Sequence, residues 1–242
     1  MGSRRFMIQF LLFCCISTPP CLGQAARARQ LQTLRDAHQW FALRDATEQA
    51  NASLFYRATV EYAFNQIKLA QKHLNAVIKT APHSDNAYEA HGMLANLYFR
   101  NGLYREAYLQ IQAMLAEKPN SADVKNMIPM FRALSRSDQI ILTNKASTLP
   151  MFMNENGVFI PIVLDEHEAH YSVDTGSNMS LMSESEAKRL GLQVQGVETQ
   201  IGSITAAHFG ARIAVVKKFI VGGLHLENVA FTVLPDAQEP FV

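Results

Sequence analysis

Apolar and polar positions along this chain change period once, near residue 145. Over residues 25–135 apolar side chains recur at three- and four-residue spacing, as in Leu69, Leu74, Val77 and Ile78. That spacing predicts amphipathic helices. Pro82, Gly92, Gly102, Pro119 and Pro129 are expected at the breaks between them. From about residue 150 the runs shorten to "GVFIPIVL", "AHYSVD", "ARIAVVKKFIV" and "NVAFTVL", rich in Val, Ile and Phe and separated by Gly, Asn and acidic turns. These predict β-strands. The stretch 136–149, "RSDQIILTNKASTL", is expected to link the two regions. The predicted fold class is therefore α+β and multidomain, with helical hairpins over 25–135 followed by an all-β domain over 150–242.

The helical region is repetitive. Residues 88–121 fit one helix–turn–helix unit, with Leu94, Ala95 and Tyr98 lining the first helix, Gly102 and Tyr104 in the turn, and Ala107, Ile111 and Met114 lining the second. A weaker copy ends at Pro82, with Ala58, Ala70, Leu74 and Val77 at matching offsets. Ala95 and Ala107 let the helices approach closely while bulkier side chains fill the space around them. The pattern resembles a tetratricopeptide repeat, although Pro82 to Pro119 spans 37 positions against a period of about 34. The excess is assigned to "SDN" at 84–86, which is also read as a cap for the next helix, and helices at about 25–49 and 121–135 are expected to flank the pair. A plain antiparallel bundle is the other reading. The resemblance implies a concave face for a peptide or protein partner.

Composition narrows the function classes. The formal charge is +1 and no basic block occurs, which points away from nucleic acid. Residues 1–23 have the order of a signal peptide: Arg4 and Arg5, the apolar run "FMIQFLLFCCI" over 6–16, and a segment with small residues ending at Gly23. The run is shorter than the roughly 20 residues that span a bilayer. Secretion or delivery to a periplasm is the expectation, with an uncleaved membrane anchor as the alternative. All three cysteines, Cys14, Cys15 and Cys21, lie in this leader. The exported fold would rest on its core without disulfides. Removing the leader changes 22 cations against 21 anions to 20 against 21, so the remainder is close to neutral.

The candidate chemistry lies in "AHYSVDTGSNMSLMSESEAKRLGL", residues 169–192. A strand ends at Asp174, followed by Thr175-Gly176-Ser177, then Met179, Leu181 and Met182, then a short helix with a capping box at Ser183 and Glu186 and a stop at Gly191. An aspartate after a strand is by itself an ordinary turn residue. The whole pattern resembles the retropepsin-like, single-lobed aspartic proteases, over about residues 150–235. The resemblance implies an aspartic endopeptidase acting on peptide or protein substrates, without metal or organic cofactor. Asp174 would supply one carboxylate of a dyad. Thr175 would bond across to the partner loop, Gly176 would permit a tight loop, and the Ser177 hydroxyl would hydrogen-bond the carboxylate from outside. Two close carboxylates share one proton, because both cannot ionise at that separation. One then activates water while the other hydrogen-bonds the scissile carbonyl.

Only one D-T-G occurs, so the resemblance implies a homodimer through the protease lobe. A hairpin carrying Gly196, Gly202 and Gly210 would form a flap over substrate, and Gly222-Gly223 would turn between the strands that follow. The apolar-Leu-Gly motif that braces the D-T-G loop in the family is not found after residue 224, so the protease domain is expected to be C-terminally incomplete and, if residue 242 is the true end, a poor catalyst. The competing function is a non-cleaving peptide- or protein-binding protein on a helical scaffold. His167, Glu168 and His170 do not have the spacing of a helical zinc motif and are read as solvated turn and strand residues.

Overall fold

The computed structural model describes residues 20–48, 52–174, 177, 179–201 and 209–237. Seven helices come first: α1 (Pro20–Asp36), α2 (Trp40–Glu48), α3 (Leu54–Ala63), α4 (Ile67–Thr80), α5 (Asp85–Arg100), α6 (Tyr104–Glu117) and α7 (Ala122–Leu134). Then follow β1 (Ile140–Asn144), β2 (Phe152–Asn154), β3 (Gly157–Leu164), β4 (His167–Ser172), β5 (Ser180–Ser183), α8 (Glu184–Arg189), β6 (Gln195–Ile201), β7 (Phe209–Val221) and β8 (Leu224–Leu234). The α+β order read from the sequence is present. Most of the expected leader lies outside the described residues, and 20–23 begin α1. No described helix is long and apolar enough to cross a membrane.

The first six helices form three hairpins closed by the same turn. His38, Asn65 and Gly102 sit two residues past the ends of α1, α3 and α5 in turns of equal length, with φ of 53°, 56° and 71°. In each turn the next amide reaches back five residues: Gln39 to Leu34, Gln66 to Glu61 and Leu103 to Tyr98, at 2.8–2.9 Å. This left-handed C-terminal closure satisfies carbonyls that a helix end would otherwise leave open. The second and third hairpins also match side chain for side chain at an offset of 37. Ala58 and Ala95, Ala70 and Ala107, Leu74 and Ile111, and Val77 and Met114 are all buried. Ser84 and Ser121 stand at the same offset, each accepting from the amide three residues on, Ala87 and Val124. The three residues assigned to an insertion are therefore the cap and first turn of α5, repeated at the start of α7.

Two of the expected breaks are not breaks. Gly92 lies within α5, where a Cβ would meet the Met114 side chain of α6 at 3.5 Å, and Pro129 lies inside α7. Leu69, expected on the apolar face, is 47% exposed. Trp40, Tyr56 and Phe64 pack partly buried against Leu31, Leu43 and Val60.

The sheet runs β1-β8-β7-β3-β2, with β4 on β3, β6 on β7 and β5 parallel to β8. Its core gathers Leu164, Met182, Ala187, Leu190, Ala214, Val216 and alternate residues of β8. The stretch expected as a linker is not free: Ile140 to Asn144 pair antiparallel with Glu227 to Leu224. Ser147 Oγ accepts from the Gly223 amide at 2.9 Å, and the Lys145 amide donates to the Gly223 carbonyl at 3.0 Å. Gly222, with φ 55°, closes the β7–β8 hairpin as expected.

The helical region and the sheet share a core. Period-two alternation sends Ala214 and Val216 of β7 into the sheet core. Ile213 and Val215 face the other way, into the cluster of Ala95, Tyr104, Ala107, Ile111, Phe131 and Leu134 from α5, α6 and α7. Burial on both faces explains why "IAVV", residues 213–216, reads as a continuous apolar run.

Candidate active site

The β3–β4 ladder sets the position of Asp174. Phe159 pairs with Ser172, and the Val173 amide continues the ladder by donating to the Val158 carbonyl at 2.8 Å. Asp174 comes next, exposed at the surface beside Val173. The Ser177 amide donates to the Asp174 carbonyl at 3.3 Å. β5 then starts at Ser180 and runs parallel to β8, Ser180 opposite Phe231 and Ser183 opposite Leu234. Asp174 and Ser177 therefore lie between two strands that belong to different parts of the sheet.

Asp174 and Ser177 are joined by that one backbone bond. Thr175 and Gly176 lie outside the described residues. The Ser177 hydroxyl differs from expectation: it donates to the Met179 carbonyl at 2.7 Å rather than to the aspartate. A hydroxyl has one proton to give, and the nearby carbonyl takes it. Ser177 here shapes the exit of the turn.

The short helix after the turn is fixed on three sides. Ser183 Oγ caps it, accepting from the Glu186 amide at 3.2 Å. The second half of the expected capping box is absent. The Glu186 carboxylate instead receives two bonds of 2.7 Å from Arg189 and one from the Tyr171 hydroxyl of β4. The Arg189 guanidinium holds Glu186 below the usual carboxylate range against the opposing effect of burial, and Tyr171 adds to it. Burial and the facing Glu186 carboxylate push the Tyr171 phenol up. At the helix start the Ser185 hydroxyl and amide both donate to Asp236, at 2.8 and 3.1 Å, and lower its pKa. Arg212 of β7 pairs with Glu184. The helix stops at Gly191, φ 66°, as the sequence indicates.

β6 and β7 form the hairpin expected to carry a flap, with Ile201 opposite Phe209 and Gln200 opposite Gly210. Its tip, including Gly202, lies outside the described residues. β4 begins at His167 rather than after it, and the His170 ring sits edge-on to Phe152 at 5.1 Å. Among the described residues no group of three His, Cys, Asp or Glu is placed to hold a metal ion.

Residues 160–241 match the aspartyl protease family model. The match covers the protease-like lobe from β3 onward, with Asp174 inside it, and none of the helical hairpins. No curated protein and no solved structure matches the chain. Within the protease-like lobe an exposed carboxylate on a strand-to-turn junction can exchange protons with substrate or water. A second carboxylate is needed for the shared-proton chemistry of a dyad.

Among the described residues a polar groove lies outside the lobe. A cavity of about 400 Å³ opens between α1, α3 and α5, lined by Arg35, Tyr56, Asp85, Tyr88, Glu89 and Lys118. Arg35 bonds Glu89 at 2.5 Å, and the Lys118 ammonium sits 4.0 Å from the Tyr88 ring centroid. Sequence reasoning did not identify these residues, because their relation emerges only when the first helices of successive hairpins line up.

Proposed function

We propose that this chain is an exported aspartic endopeptidase that hydrolyses peptide bonds with a carboxylate dyad formed by two copies of Asp174 in a homodimer. The observation that carries the reading is Asp174 exposed at the strand-to-turn junction of a D-T-G-S sequence inside the matched segment. One Asp174 carboxylate takes a proton from water as it attacks the scissile carbonyl, while the other, protonated, donates a hydrogen bond to the carbonyl oxygen. Thr175 and Gly176 hold the loop, and the β6–β7 hairpin closes over an extended peptide. Residues 1–23 direct export.

The helical hairpins act as tetratricopeptide-like repeats. Their shared turn geometry and matched small residues support this, although the 37-residue offset exceeds the usual period. The polar groove favours a second reading, in which the hairpins hold a protein partner and the lobe binds peptide without cutting it. Incubating the protein with an unfolded protein substrate at acid pH, beside Asp174→Asn, separates the two. Cleavage abolished by the substitution and blocked by pepstatin supports the endopeptidase. Peptide binding unchanged by the substitution, with no cleavage by either protein, supports the binding protein.

A further inference from the structure

The outer edge of β8 is occupied in three successive pieces. β1 pairs with residues 224–227, and β5 pairs with 231–234. The residues between them are met by the helical region. Asn228, in the left-handed region at φ 58°, donates from Nδ2 to the Asp138 carbonyl at 3.2 Å. The Ala230 amide donates to the Tyr104 hydroxyl at 3.1 Å. Without these two contacts the edge would carry an open gap between two ladders.

Tyr104 is built into this position. It is the first residue of α6, 3% exposed, tilted against Phe99 at 5.8 Å and packed with Ala107, Ile111, Phe131 and Ile213. Asp138 Oδ1 accepts from the Arg105 amide at 2.8 Å, and the Gln139 amide donates to the Gly102 carbonyl at 2.8 Å. The α5–α6 turn, the chain leaving α7 and the middle of β8 are thus bonded to one another. Met179, which ends the D-T-G turn, packs partly buried against the same helical cluster, as do Val215 and Ala230. Thr232 Oγ1 lies 3.8 Å from the Met179 sulfur.

We propose that Tyr104 is a positioning residue for the Asp174 loop, acting through Ala230 and Met179, so that the helical region braces the loop from beneath. The sense of the coupling follows from the order of contacts. The loop's exit, Met179-Ser180, can take only the height that β8 offers at 230–232, and Tyr104 holds β8 there. The consequence for activity rests on the endopeptidase reading; the structural claim does not.

The test is Tyr104→Phe, which keeps the ring and removes the hydroxyl acceptor. Amide hydrogen exchange is expected to quicken about tenfold or more at 179–183 and 230–232, because a buried N–H loses its partner. Exchange in α3 and α4 should not change. Tyr108→Phe, on the same helix as Tyr104, loses a hydroxyl that accepts from Arg132 of α7 and should leave 179–183 as it was. Asn228→Gly keeps the positive φ, removes Nδ2 and should quicken the same amides. In cleavage assays Tyr104→Phe should lower kcat with KM unchanged. Unaltered exchange at 179–183 in both Tyr104→Phe and Asn228→Gly overturns the proposal. Altered exchange with Asp174→Asn as active as the wild type overturns the endopeptidase reading and leaves the bracing in place.

Discussion

Replacing Ile213 by Ala tests whether the helices and the sheet are one cooperative structure. Ile213 belongs to β7 but is 3% exposed within the cluster of α5, α6 and α7. The substitution removes three carbons, about 0.8 kcal/mol each by transfer, and leaves a cavity between two layers that cannot both collapse. Such changes cost about 2–5 kcal/mol, and about 3 is expected here. For a chain of this size that corresponds to a fall of about 6–12 °C in Tm. The assay is thermal unfolding followed by far-UV circular dichroism, which is dominated by the helices, together with emission from the single tryptophan. Trp40 lies in α2, packed against Leu31, Leu43 and Val60, so its signal reports the hairpin furthest along the chain from Ile213. Both signals should shift together, since neighbouring hairpins share buried clusters. Leu69→Ala, at a 47% exposed position, should change either by about 0.5 kcal/mol or less. If Ile213→Ala leaves the helical transition unmoved, the shared core is wrong and the two regions are independent domains.

Three further outcomes follow from single positions. Gly102→Ala should destabilise by about 1–3 kcal/mol, because the residue sits at φ 71° and an added Cβ runs into Gln139. Asn65→Gly, at the equivalent turn position with φ 56°, should be neutral or slightly stabilising, and denaturant midpoints compare the two. Glu186 should make the lobe acid-sensitive. Its folded pKa lies below 4.5, so its contribution is complete above the unfolded value and is lost as pH falls through the folded value. Arg189 is the larger cause and Tyr171 the smaller, but Arg189 is exposed and screened by solvent, so the total is about 1 kcal/mol. Denaturant midpoints between neutral and acid pH should lose this dependence in Glu186→Gln.

What the sequence disclosed divides by the range of the interactions involved. Ala58, Ala70, Ala95, Ala107, Leu74 and Ile111 were recognisable as core because helical period and residue size are local signals, and all are buried. Gly191 and Gly222 were recognisable as a helix stop and a hairpin turn for the same reason, and both have positive φ. Gly92 and Pro129 misled because a breaker residue states a propensity, and the close approach of α6 or the packing of α7 outweighs it. β1 was hidden in "IILTN" because a short strand with exposed side chains has no alternation; its partner, 224–227, is 80 or more residues away. Tyr104 read as a turn residue, and nothing local indicates that its hydroxyl meets the Ala230 amide. At the candidate site, the place of Asp174 was legible from the strand before it and the helix after it. The direction of the Ser177 hydroxyl was not, since it depends on the local fold of Met179.

The central claim, a dyad shared between two chains, is tested most directly by mixing. Wild-type protein and Asp174→Asn protein are combined in varying proportion at constant total concentration, allowed to exchange subunits, and assayed for cleavage of an unfolded protein at acid pH. If each active centre takes one Asp174 from each of two chains, an equal mixture should retain about a quarter of the wild-type rate, following the square of the wild-type fraction. A rate that falls in simple proportion to the wild-type fraction, or that does not fall at all, would contradict the shared dyad.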